Sequence, residues 1–474
     1  MEKKNQAIEY LESNFLGIGF QELHNHVIKK DNCVLCGTCA TLCPRIGLNG
    51  NTPTLIDSDP ECSTCFRYCP MTYFPQDMFE KELFKGKMKT SDSLGIYQDI
   101  LAARSTDDKI LEVSQNGGIV STLLIHALKS GIIDGALLTG VDENWNPKPL
   151  IARTPEEILS CTGSRYTISP TLSIYKNAVE VFELGNLAFV GMPCQIKAVR
   201  KLQLSSPLST QNGRFTLIIG LFCYSNYSYD LMSVYVQQQL GISLNTVKKI
   251  DISNGKFYVY KNDESVIETP IKETKKYYWS SCQYCKDYTA ETADISIGSV
   301  GTHENDWNSV ILRTEVGKNL FNDAVEAKKI ITSQEINQMK LEKESLRKKT
   351  RISLLDQETL NSLSFLGVTD SELKIYSTIM SLGFTNIKML KKIMLSEEYE
   401  IKNALNKLIK REWIINDSGC YSTINPTIVI TKEISKFRNE FNKKIANLKN
   451  VVLPNLETLY AQNNHIRFED LDSI

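Results

Sequence analysis

The sequence predicts an α/β core between a cysteine-rich N-terminal module and a mainly helical C-terminal unit. Three observations predict this arrangement. Seven of the thirteen cysteines lie between residues 33 and 69, strand-like and helix-like apolar patterns alternate from about residue 95 to 325, and amphipathic helical patterns dominate after residue 366. At 474 residues the chain is long enough for several domains. We expect their bounds at residues 1–90, 91–350, 366–430 and 431–474.

The composition is that of a soluble globular protein, with 42% hydrophobic and 23% charged residues. The net charge of -1 gives no global reason to expect nucleic-acid or membrane binding. The first ten residues lack the apolar core of a signal peptide, and no apolar run approaches the roughly 20 residues of a membrane span. We therefore expect a cytoplasmic protein whose cysteines serve metal or redox chemistry rather than disulfides.

The N-terminal module carries two cysteine runs, each ending in Cys-Pro. The first has the C-x2-C-x2-C-x3-C-P spacing with which bacterial ferredoxins hold a [4Fe-4S] cluster, and its fourth cysteine ligates the other cluster of a two-cluster fold. The second run has Asp59 where the full motif has a cysteine. If the last cysteine of each run ligates the other cluster, one cluster is held by Cys33, Cys36, Cys39 and Cys69. The other cluster is then held by Cys43, Cys62 and Cys65.

The fourth ligand of the second cluster stays open between Asp59, a more distant cysteine and none. A carboxylate is a harder ligand for iron than a thiolate, so an Asp-ligated or [3Fe-4S] site with a shifted potential is one outcome. Two alternatives remain: a single cluster beside a degenerate site, or a zinc ribbon. The ribbon would use Cys33, Cys36, Cys62 and Cys65, and it leaves Cys39, Cys43, Cys69 and both Cys-Pro pairs unexplained.

The core shows both periods of secondary structure. Helical spacing covers residues 118–129 and 195–202, and the charged stretch 326–358 is also predicted to be helical. Asn254-Gly255 predicts a hairpin turn. Buried strands are predicted at residues 132–138, 187–190, 216–222, 293–300 and 310–313.

Four core cysteines stand at positions where an α/β fold presents functional groups. Cys194 lies at a strand-to-helix turn, Cys223 at a strand end, and Cys282 and Cys285 form an isolated C-x2-C pair. They could converge on a third cluster, and they could equally be small buried residues. The turn Gln115-Asn116-Gly117-Gly118 precedes a helix and suits an anion such as a phosphate, although an Asn cap with a glycine turn explains it as well.

The core resembles the beta subunit family of coenzyme F-420-reducing hydrogenases and dehydrogenases over about residues 95 to 320. The N-terminal ferredoxin-like module is similar to that of many members. The resemblance lies in Gln115-Asn116-Gly117-Gly118, Ile133-Asp134-Gly135-Ala136, Gly163-Ser164-Arg165-Tyr166, Gly191-Met192-Pro193-Cys194-Gln195, Phe222-Cys223, Cys282-x2-Cys285-Lys286-Asp287, Ala293-Asp294-Ile295-Ser296-Ile297-Gly298 and the run from Val310 to Thr314.

The resemblance implies an FAD in the core with a [4Fe-4S] cluster beside it. Its cluster ligands would be Cys194, Cys223, Cys282 and Cys285, and its flavin contacts Gln115, Asn116, Gly117 and Gly118 with Gly163, Ser164, Arg165 and Tyr166. Hydride transfer is then centred on the flavin and needs no catalytic side chain. Reduced coenzyme F-420 is the expected substrate, ferredoxin the alternative carrier, and a partner oxidoreductase subunit is expected.

The C-terminal unit has the outline of a winged helix, with three amphipathic helices before a hairpin at residues 413–424. DNA binding is not favoured, because Glu397, Glu398 and Glu400 lead the helix that would enter the groove. A protein-interaction or dimerisation role, and hence a homo-oligomer, is preferred; a redox-responsive regulator is the rival hypothesis. The last helix is predicted at residues 434–459, interrupted at Pro454.

Overall fold

The computed structural model describes residues 19–57, 62–86, 88–205, 214–303, 306–351, 355, 357–394 and 397–463. These residues form two compact units, one ending at Arg351 and one following it. Each unit is described by itself below. The finer domain bounds given above stay predictions.

The cysteine-rich segment is built from short elements joined by loops. Its helices are α1 (Phe20–Leu23), α2 (Thr38–Leu42), α3 (Thr64–Tyr68) and α4 (Gln76–Leu83), with a π-helical turn at His24–Ile28. Strands β1 (Ile46–Asn49) and β2 (Thr52–Leu55) pair in an antiparallel hairpin, and β3 (Lys89–Ser91) pairs with β4 (Gly95–Tyr97). Val34, Cys36 and Tyr68 pack in the same apolar core as Phe189 and Ile196, so this segment shares its packing with the α/β part.

An eight-stranded mixed sheet carries the α/β part, which confirms the predicted fold class of the core. Its order is β15-β5-β14-β13-β9-β8-β6-β7, with β13, β9, β8 and β6 parallel to one another and the other pairs antiparallel. The strands are β5 (Asp99–Ser105), β6 (Gly135–Val141), β7 (Pro147–Ala152), β8 (Asn186–Gly191), β9 (Arg214–Leu221), β13 (Ile295–Gly298), β14 (Asn308–Leu312) and β15 (Ile330–Ser333).

Helices cover both faces of this sheet. Along β9, Leu217 and Ile219 belong to one apolar core while Ile218, between them, belongs to the other, as alternation along a buried strand requires. The helices of this part are α5 (Asp108–Val113), α6 (Ile119–Lys129), α7 (Pro155–Ser160), α8 (Tyr175–Glu180), α9 (Pro193–Ser205), α10 (Glu315–Glu326) and α11 (Gln338–Lys349).

A smaller antiparallel sheet stands beside the large one. Strands β10 (Val247–Ser253), β11 (Lys256–Lys261) and β12 (Val266–Pro270) form it, and the hairpin turn at Asn254-Gly255 is confirmed. Both turn residues have positive φ, 50° and 76°, which explains the Asn-Gly pair. A π-helix at Leu231–Gln239 and 3-10 turns at Thr171–Ile174, Leu244–Thr246, Ile271–Tyr277 and Ser280–Gln283 complete the unit.

Two predictions for the core differ from the structure. The strand expected at residues 132–138 begins at Gly135, because residues 130–134 form the turn that reverses the chain after α6. The prediction of helix throughout residues 326–358 is wrong at its start. Ile330–Ser333 extends along the edge of the sheet, where β15 pairs with β5 and buries Ile330. Among the described residues from 327 to 358, the helical ones are Gln338–Lys349 and the first two of the helix that begins at Gln357.

The second unit contains four shorter helices and a small sheet. The order is α12 (Gln357–Ser364), α13 (Asp370–Leu382), β16 (Phe384–Thr385), α14 (Ile387–Met394), α15 (Glu398–Lys410), β17 (Ile414–Asp417) and β18 (Cys420–Thr423), with sheet order β16-β18-β17. Trp413 fills the core beneath them, edge-on to Tyr376 at 5.0 Å. The predicted helices and hairpin are therefore present.

A long helix ends the described chain. It consists of α16 (Pro426–Asn447), a π-helical segment (Leu448–Val452) and α17 (Leu453–Asn463), which follow one another without a gap. The predicted interruption at Pro454 is wrong. Proline lacks the N–H that donates the backbone hydrogen bond of an α-helix. The π-helical segment directly before Pro454 changes the hydrogen-bond pattern there, so the helix continues without that bond. Among the helices described, none is both long and apolar enough to cross a membrane.

Candidate functional site: three groups of thiols

Eleven cysteines of the first unit form three groups that match the predicted cluster ligands. The thiols of each group lie near enough to perturb one another's ionisation. Their members are Cys33, Cys36, Cys39 and Cys69; Cys43, Cys62 and Cys65; and Cys194, Cys223, Cys282 and Cys285. Asp59, the proposed ligand of the second group, lies outside the described residues.

The first group is deeply buried. Burial raises the pKa of Cys33 to about 12 and that of Cys69 to about 11, and neighbouring thiols add to both shifts. Lys201 on α9 reaches this group from the α/β part. Its Nζ donates to the carbonyl oxygen of Cys69 at 2.7 Å, to that of Arg67 at 3.2 Å and to Thr72 Oγ1 at 2.9 Å, and the side chain is 0% exposed.

The second group lies around α3. Burial raises the pKa of Cys65 to about 12, and the nearby thiols of Cys62 and Cys43 add to it. The Cys62 thiol lies 3.4 Å from Thr64 Oγ1. Three cysteines of this site are therefore together, and its fourth ligand stays open.

The third group converges from three separate segments of the α/β part. Cys194 is the second residue of α9, directly after β8; Cys223 follows β9; and Cys282 and Cys285 lie in and after the 3-10 turn at Ser280–Gln283. Burial raises the pKa of Cys194 well above its ordinary value, and the thiols of Cys285, Cys223 and Cys282 raise it further. The ends of neighbouring parallel strands meet at one sheet edge, which is why β8 and β9 bring Cys194 and Cys223 together.

Two basic residues from the end of α11 hold this third group. Lys348, 1% exposed, donates from Nζ to the carbonyl oxygens of Cys223 at 2.5 Å and Asp287 at 2.8 Å. Arg351 Nη1 donates to the carbonyl oxygen of Cys282 at 2.7 Å. Burial alone would lower the pKa of Lys348, but the thiolates of Cys285 and Cys223 outweigh it and raise the pKa above its ordinary value.

The donor set fits iron-sulfur clusters better than disulfides or single ions. All thirteen cysteines are free. Within the described part of the chain, no three His, Cys, Asp or Glu side chains are arranged to hold one metal ion, whereas thiolates around a four-iron cluster stand farther apart. Backbone N–H groups also point at sulfur: Leu35 at Cys33 Sγ (3.4 Å) and Asn226 at Cys282 Sγ (3.2 Å). The zinc-ribbon alternative would draw on two of these groups, with Cys33 and Cys36 from the first and Cys62 and Cys65 from the second, and it stays a prediction.

Direct hydrogen bonds connect the first group to the third. Trp279 Nε1 donates to the carbonyl oxygen of Cys33 at 2.6 Å, and the carbonyl oxygen of Trp279 accepts from the N–H of Cys282 at 3.0 Å. Ser280 Oγ donates to the carbonyl oxygen of Asp31 at 2.9 Å. The loop carrying Cys282 is thus fixed to the loop carrying Cys33.

The two predicted flavin-contact segments also lie together. Gln115 joins them, since its Oε1 accepts from the N–H of Ser164 at 3.3 Å while its Nε2 donates to Asp251 Oδ1 at 2.8 Å. Tyr166 OH lies 3.5 Å from the same Asp251 oxygen. Arg165 stacks on Trp145 with its guanidinium carbon 5.3 Å from the ring centroid, and its Nη2 donates to the carbonyl oxygen of Thr162.

The glycines of these segments allow close backbone packing. A Cβ on Gly117 would lie 2.7 Å from the carbonyl oxygen of Ala103 and 2.9 Å from the backbone nitrogen of Asn308. Gly118 (φ 70°) and Gly163 (φ 97°) adopt left-handed conformations. Gly118 is the N-cap of α6, and Asn308 Oδ1 accepts from the N–H of Ile119 at 3.3 Å. The alternative in which Asn116 caps this helix is therefore wrong.

A short backbone path joins the flavin-contact segment to the third thiol group. The N–H of Tyr227 donates to the carbonyl oxygen of Tyr166 at 2.9 Å, and the preceding residue, Asn226, donates to Cys282 Sγ. The two predicted cofactor sites are thus neighbours.

Sequence reasoning missed five polar residues of this region. Lys201, Arg351 and Lys348 contact the thiol loops, Asp251 holds Gln115, and Asn308 caps α6. Charged residues on helices usually face solvent, and their contacts here come from distant parts of the chain, so no local pattern marks them.

The comparisons with known proteins match the same part of the chain. The family model for the N-terminal part of the coenzyme F420 hydrogenase/dehydrogenase beta subunit matches residues 100–176, and the model for its C-terminal part matches residues 184–338. The fold and the sequence together define an oxidoreductase component. The chain belongs to the coenzyme F-420 hydrogenase/dehydrogenase beta subunit family, which confirms the resemblance seen in the sequence.

Named relatives span several enzymes. The chain is 40% identical over 266 residues to the coenzyme F420 hydrogenase beta subunit of Methanothermobacter thermautotrophicus, covering 54% of this chain and 93% of the relative. It is 33% identical over 334 residues to the coenzyme F420-dependent sulfite reductase of Methanocaldococcus jannaschii, covering 67% of this chain and 49% of that protein.

A solved structure of the F420-reducing [NiFe] hydrogenase complex from Methanosarcina barkeri contains a similar chain. It matches with a TM-score of 0.54 and 37% identity, and the match covers 59% of this chain and 97% of that chain. The residues matched to the family end at 338, so Lys348 and the whole second unit lie beyond them.

Proposed function

We propose that this chain is an iron-sulfur flavoprotein subunit that takes hydride from reduced coenzyme F-420 at an FAD and exchanges single electrons through [4Fe-4S] clusters. The observation that carries the proposal is the position of the Cys194, Cys223, Cys282 and Cys285 group beside the Gln115 and Tyr166 segments. Relatives named for coenzyme F420 support the hydride carrier.

The residues have distinct roles in this proposal. Gln115, hydrogen-bonded to both Ser164 and Asp251, would hold the two flavin-contact segments together. The glycines at 117 and 118 and the N-terminus of α6 offer backbone N–H groups to its phosphates. A bound flavin would supply the conversion between a hydride and single electrons. Lys348 and Arg351 keep the thiol loops in place and add positive charge beside them.

The N-terminal groups give the electrons a route toward a partner. We propose that Cys33, Cys36, Cys39 and Cys69 hold one ferredoxin-type cluster. Cys43, Cys62 and Cys65, with Asp59 or another ligand, would hold a second. Trp279 and Lys201 fix this pair of sites to the core. A partner oxidoreductase subunit would dock at this module, in line with the multi-subunit complex that contains the similar chain from Methanosarcina barkeri.

Anaerobic cofactor analysis tests the proposal. The purified chain should contain flavin together with iron and sulfide for three clusters, and reduced coenzyme F-420 should bleach the flavin and cluster absorbance. Cys282→Ala should remove about a third of the iron and sulfide. Cys420→Ala, at an exposed cysteine of the second unit, should remove none. Absence of flavin from the native protein would refute the core assignment, and bleaching by reduced ferredoxin but not by reduced F-420 would identify the other carrier.

We also propose that the second unit is winged-helix-like and serves protein contact rather than DNA binding. A cavity of about 550 Å³ between α14 and α15 is lined by Ile387, Lys388, Lys391, Glu398 and Lys402. Glu398 pairs with Lys402 at 2.7 Å and with Lys391 at 4.0 Å, which weakens the attraction of this surface for phosphate. A gel-shift assay on oxidised and reduced protein tests this. Salt-sensitive DNA binding in either state would favour the rival, a redox-responsive regulator.

A further inference from the structure

The long C-terminal helix carries an apolar stripe that its own unit covers only in part, where the ring centroid of Phe437 lies 5.1 Å from that of Phe365. Along α16, apolar residues recur at steps of three and four, which places them on one helix face. Phe437 and Phe441 confirm the shared face, since their rings stack 6.3 Å apart at an interplanar angle of 11°. The members of this stripe in α16 and the π-helical segment are Ile434, Phe437, Phe441, Ile445 and Leu448.

Exposed apolar residues continue through the π-helical segment and beyond it. Leu448 is 58% exposed and Leu456 is 57% exposed, values that a monomer rarely keeps on several neighbouring large residues. Over the same length the opposite face is polar, with Asn439, Lys443 and Asn450. The further exposed apolar side chains are Val451, Val452, Leu453, Leu459 and Tyr460.

The uncovered area is close to what a stable dimer buries. Four members of the stripe, Ile434, Phe437, Phe441 and Leu448, are 45–58% exposed, whereas Ile445 is partly buried. Leu453, Leu456, Leu459 and Tyr460 are 50–71% exposed. At about 150–250 Å² for a large side chain, these four and the four exposed members of the stripe leave on the order of 700 Å² of apolar surface per helix. A standard interface covers about 800 Å² per partner, and single exposed patches on monomers reach about 300–600 Å².

We propose that this stripe pairs with the same helix of a second copy of the chain, in antiparallel orientation. The charges along the sequence select the orientation. Residues 431–449 carry six basic and two acidic residues, whereas the described residues 450–463 carry one acidic residue, Glu457, and no Lys or Arg. An antiparallel pair brings the basic half of one helix against the half of the other helix that carries only Glu457, whereas a parallel pair would place basic residues against basic residues. The pairing is independent of the cofactors proposed above.

Solution mass tests the pairing on the full chain. Light scattering after size exclusion, at micromolar concentration, should give the mass of a dimer. Leu448→Glu with Phe441→Glu should give a monomer with an unchanged melting temperature, because both side chains are exposed. The matched control, Asn439→Glu with Asn450→Glu on the polar face, should stay dimeric. A monomeric native chain, or a dimer that survives Leu448→Glu with Phe441→Glu, would overturn the proposal.

Distance measurement tests the orientation. Cys420 is exposed and precedes the helix, so a spin label can be attached to it in the cluster-loaded protein. With a rise of about 1.5 Å per residue, antiparallel helices of this length separate the two labels by about 50 Å or more. Labels much closer than this in the dimer would show parallel pairing and overturn the orientation.

Discussion

Lys348→Met should lower the reduction potential of the cluster proposed at Cys194, Cys223, Cys282 and Cys285. The Lys348 ammonium is buried, and the thiolates of Cys285 and Cys223 lie close enough to raise its pKa. It therefore stabilises the extra negative charge that reduction places on the site. At a charge separation of roughly 7 Å and an effective dielectric constant of about 20, this interaction amounts to about 2 kcal/mol. For one electron that corresponds to a fall on the order of 100 mV.

The assay is an anaerobic potentiometric titration with dithionite, followed by electron paramagnetic resonance. Iron and sulfide are measured first, because Lys348→Met also leaves the carbonyl oxygens of Cys223 and Asp287 without their donor. Lys343→Met is the matched control, since it removes an exposed charge from the same helix and should leave the potential unchanged. Lys348→Arg keeps the positive charge and should therefore retain most of the native reduction potential. A fully loaded Lys348→Met protein with the native potential would refute the reasoning.

Three further predictions concern packing, charge and pH. Gly117→Ala should lower flavin content with iron unchanged, because its methyl would lie 2.7 Å from the Ala103 oxygen, whereas Gly185→Ala, with its nearest neighbour at 3.4 Å, should keep both. Arg200→Met should lower the melting temperature of the first unit by several degrees, because it removes the cation that pairs with the buried Asp294 carboxylate at 2.8 Å. The loss of this ion pair costs about 3 kcal/mol. Burial would raise the pKa of Glu372, but hydrogen bonds from Lys407 and the Thr369 backbone outweigh it and lower the pKa. Glu372→Gln should therefore destabilise the second unit at pH 7, by about 1 kcal/mol in chemical unfolding, and this difference should vanish as pH falls below the ordinary glutamate range near 4. Equal cofactor loss in both glycine variants, an unchanged melting temperature, or a pH-independent difference would contradict the respective prediction.

The grouping of the N-terminal cysteines was predictable from the sequence because it depends on local spacing. Three thiols within seven residues can turn toward one point, and the Cys-Pro end of each run carries its last cysteine to the other site. The third group was not fixed by spacing. Cys194, Cys223 and the Cys282 turn lie far apart in the sequence, and only the family resemblance predicted that they meet.

Long-range polar contacts were beyond sequence reasoning. Lys348 belongs to a helix rich in charged residues, which reads as a solvated surface helix until the fold buries one face of it. Asn308 caps a helix that begins 189 residues earlier. The edge strand Ile330–Ser333 was also beyond local sequence reasoning. Its four residues are too few to show a strand pattern, and they are extended because they pair with β5.

Lys201, a residue of the core, is hydrogen-bonded to the N-terminal module. Its three acceptors all lie between residues 67 and 72, and its side chain has no contact with solvent. A replacement segment that kept Lys201 buried but offered it no acceptors would leave its ammonium group unpaired in an apolar interior, at a cost of about 3–5 kcal/mol. The N-terminal module therefore cannot be replaced without regard to the contacts of Lys201. Another ferredoxin-like segment in its place would need to offer Lys201 the same acceptors, or the residue at position 201 would need to change with it.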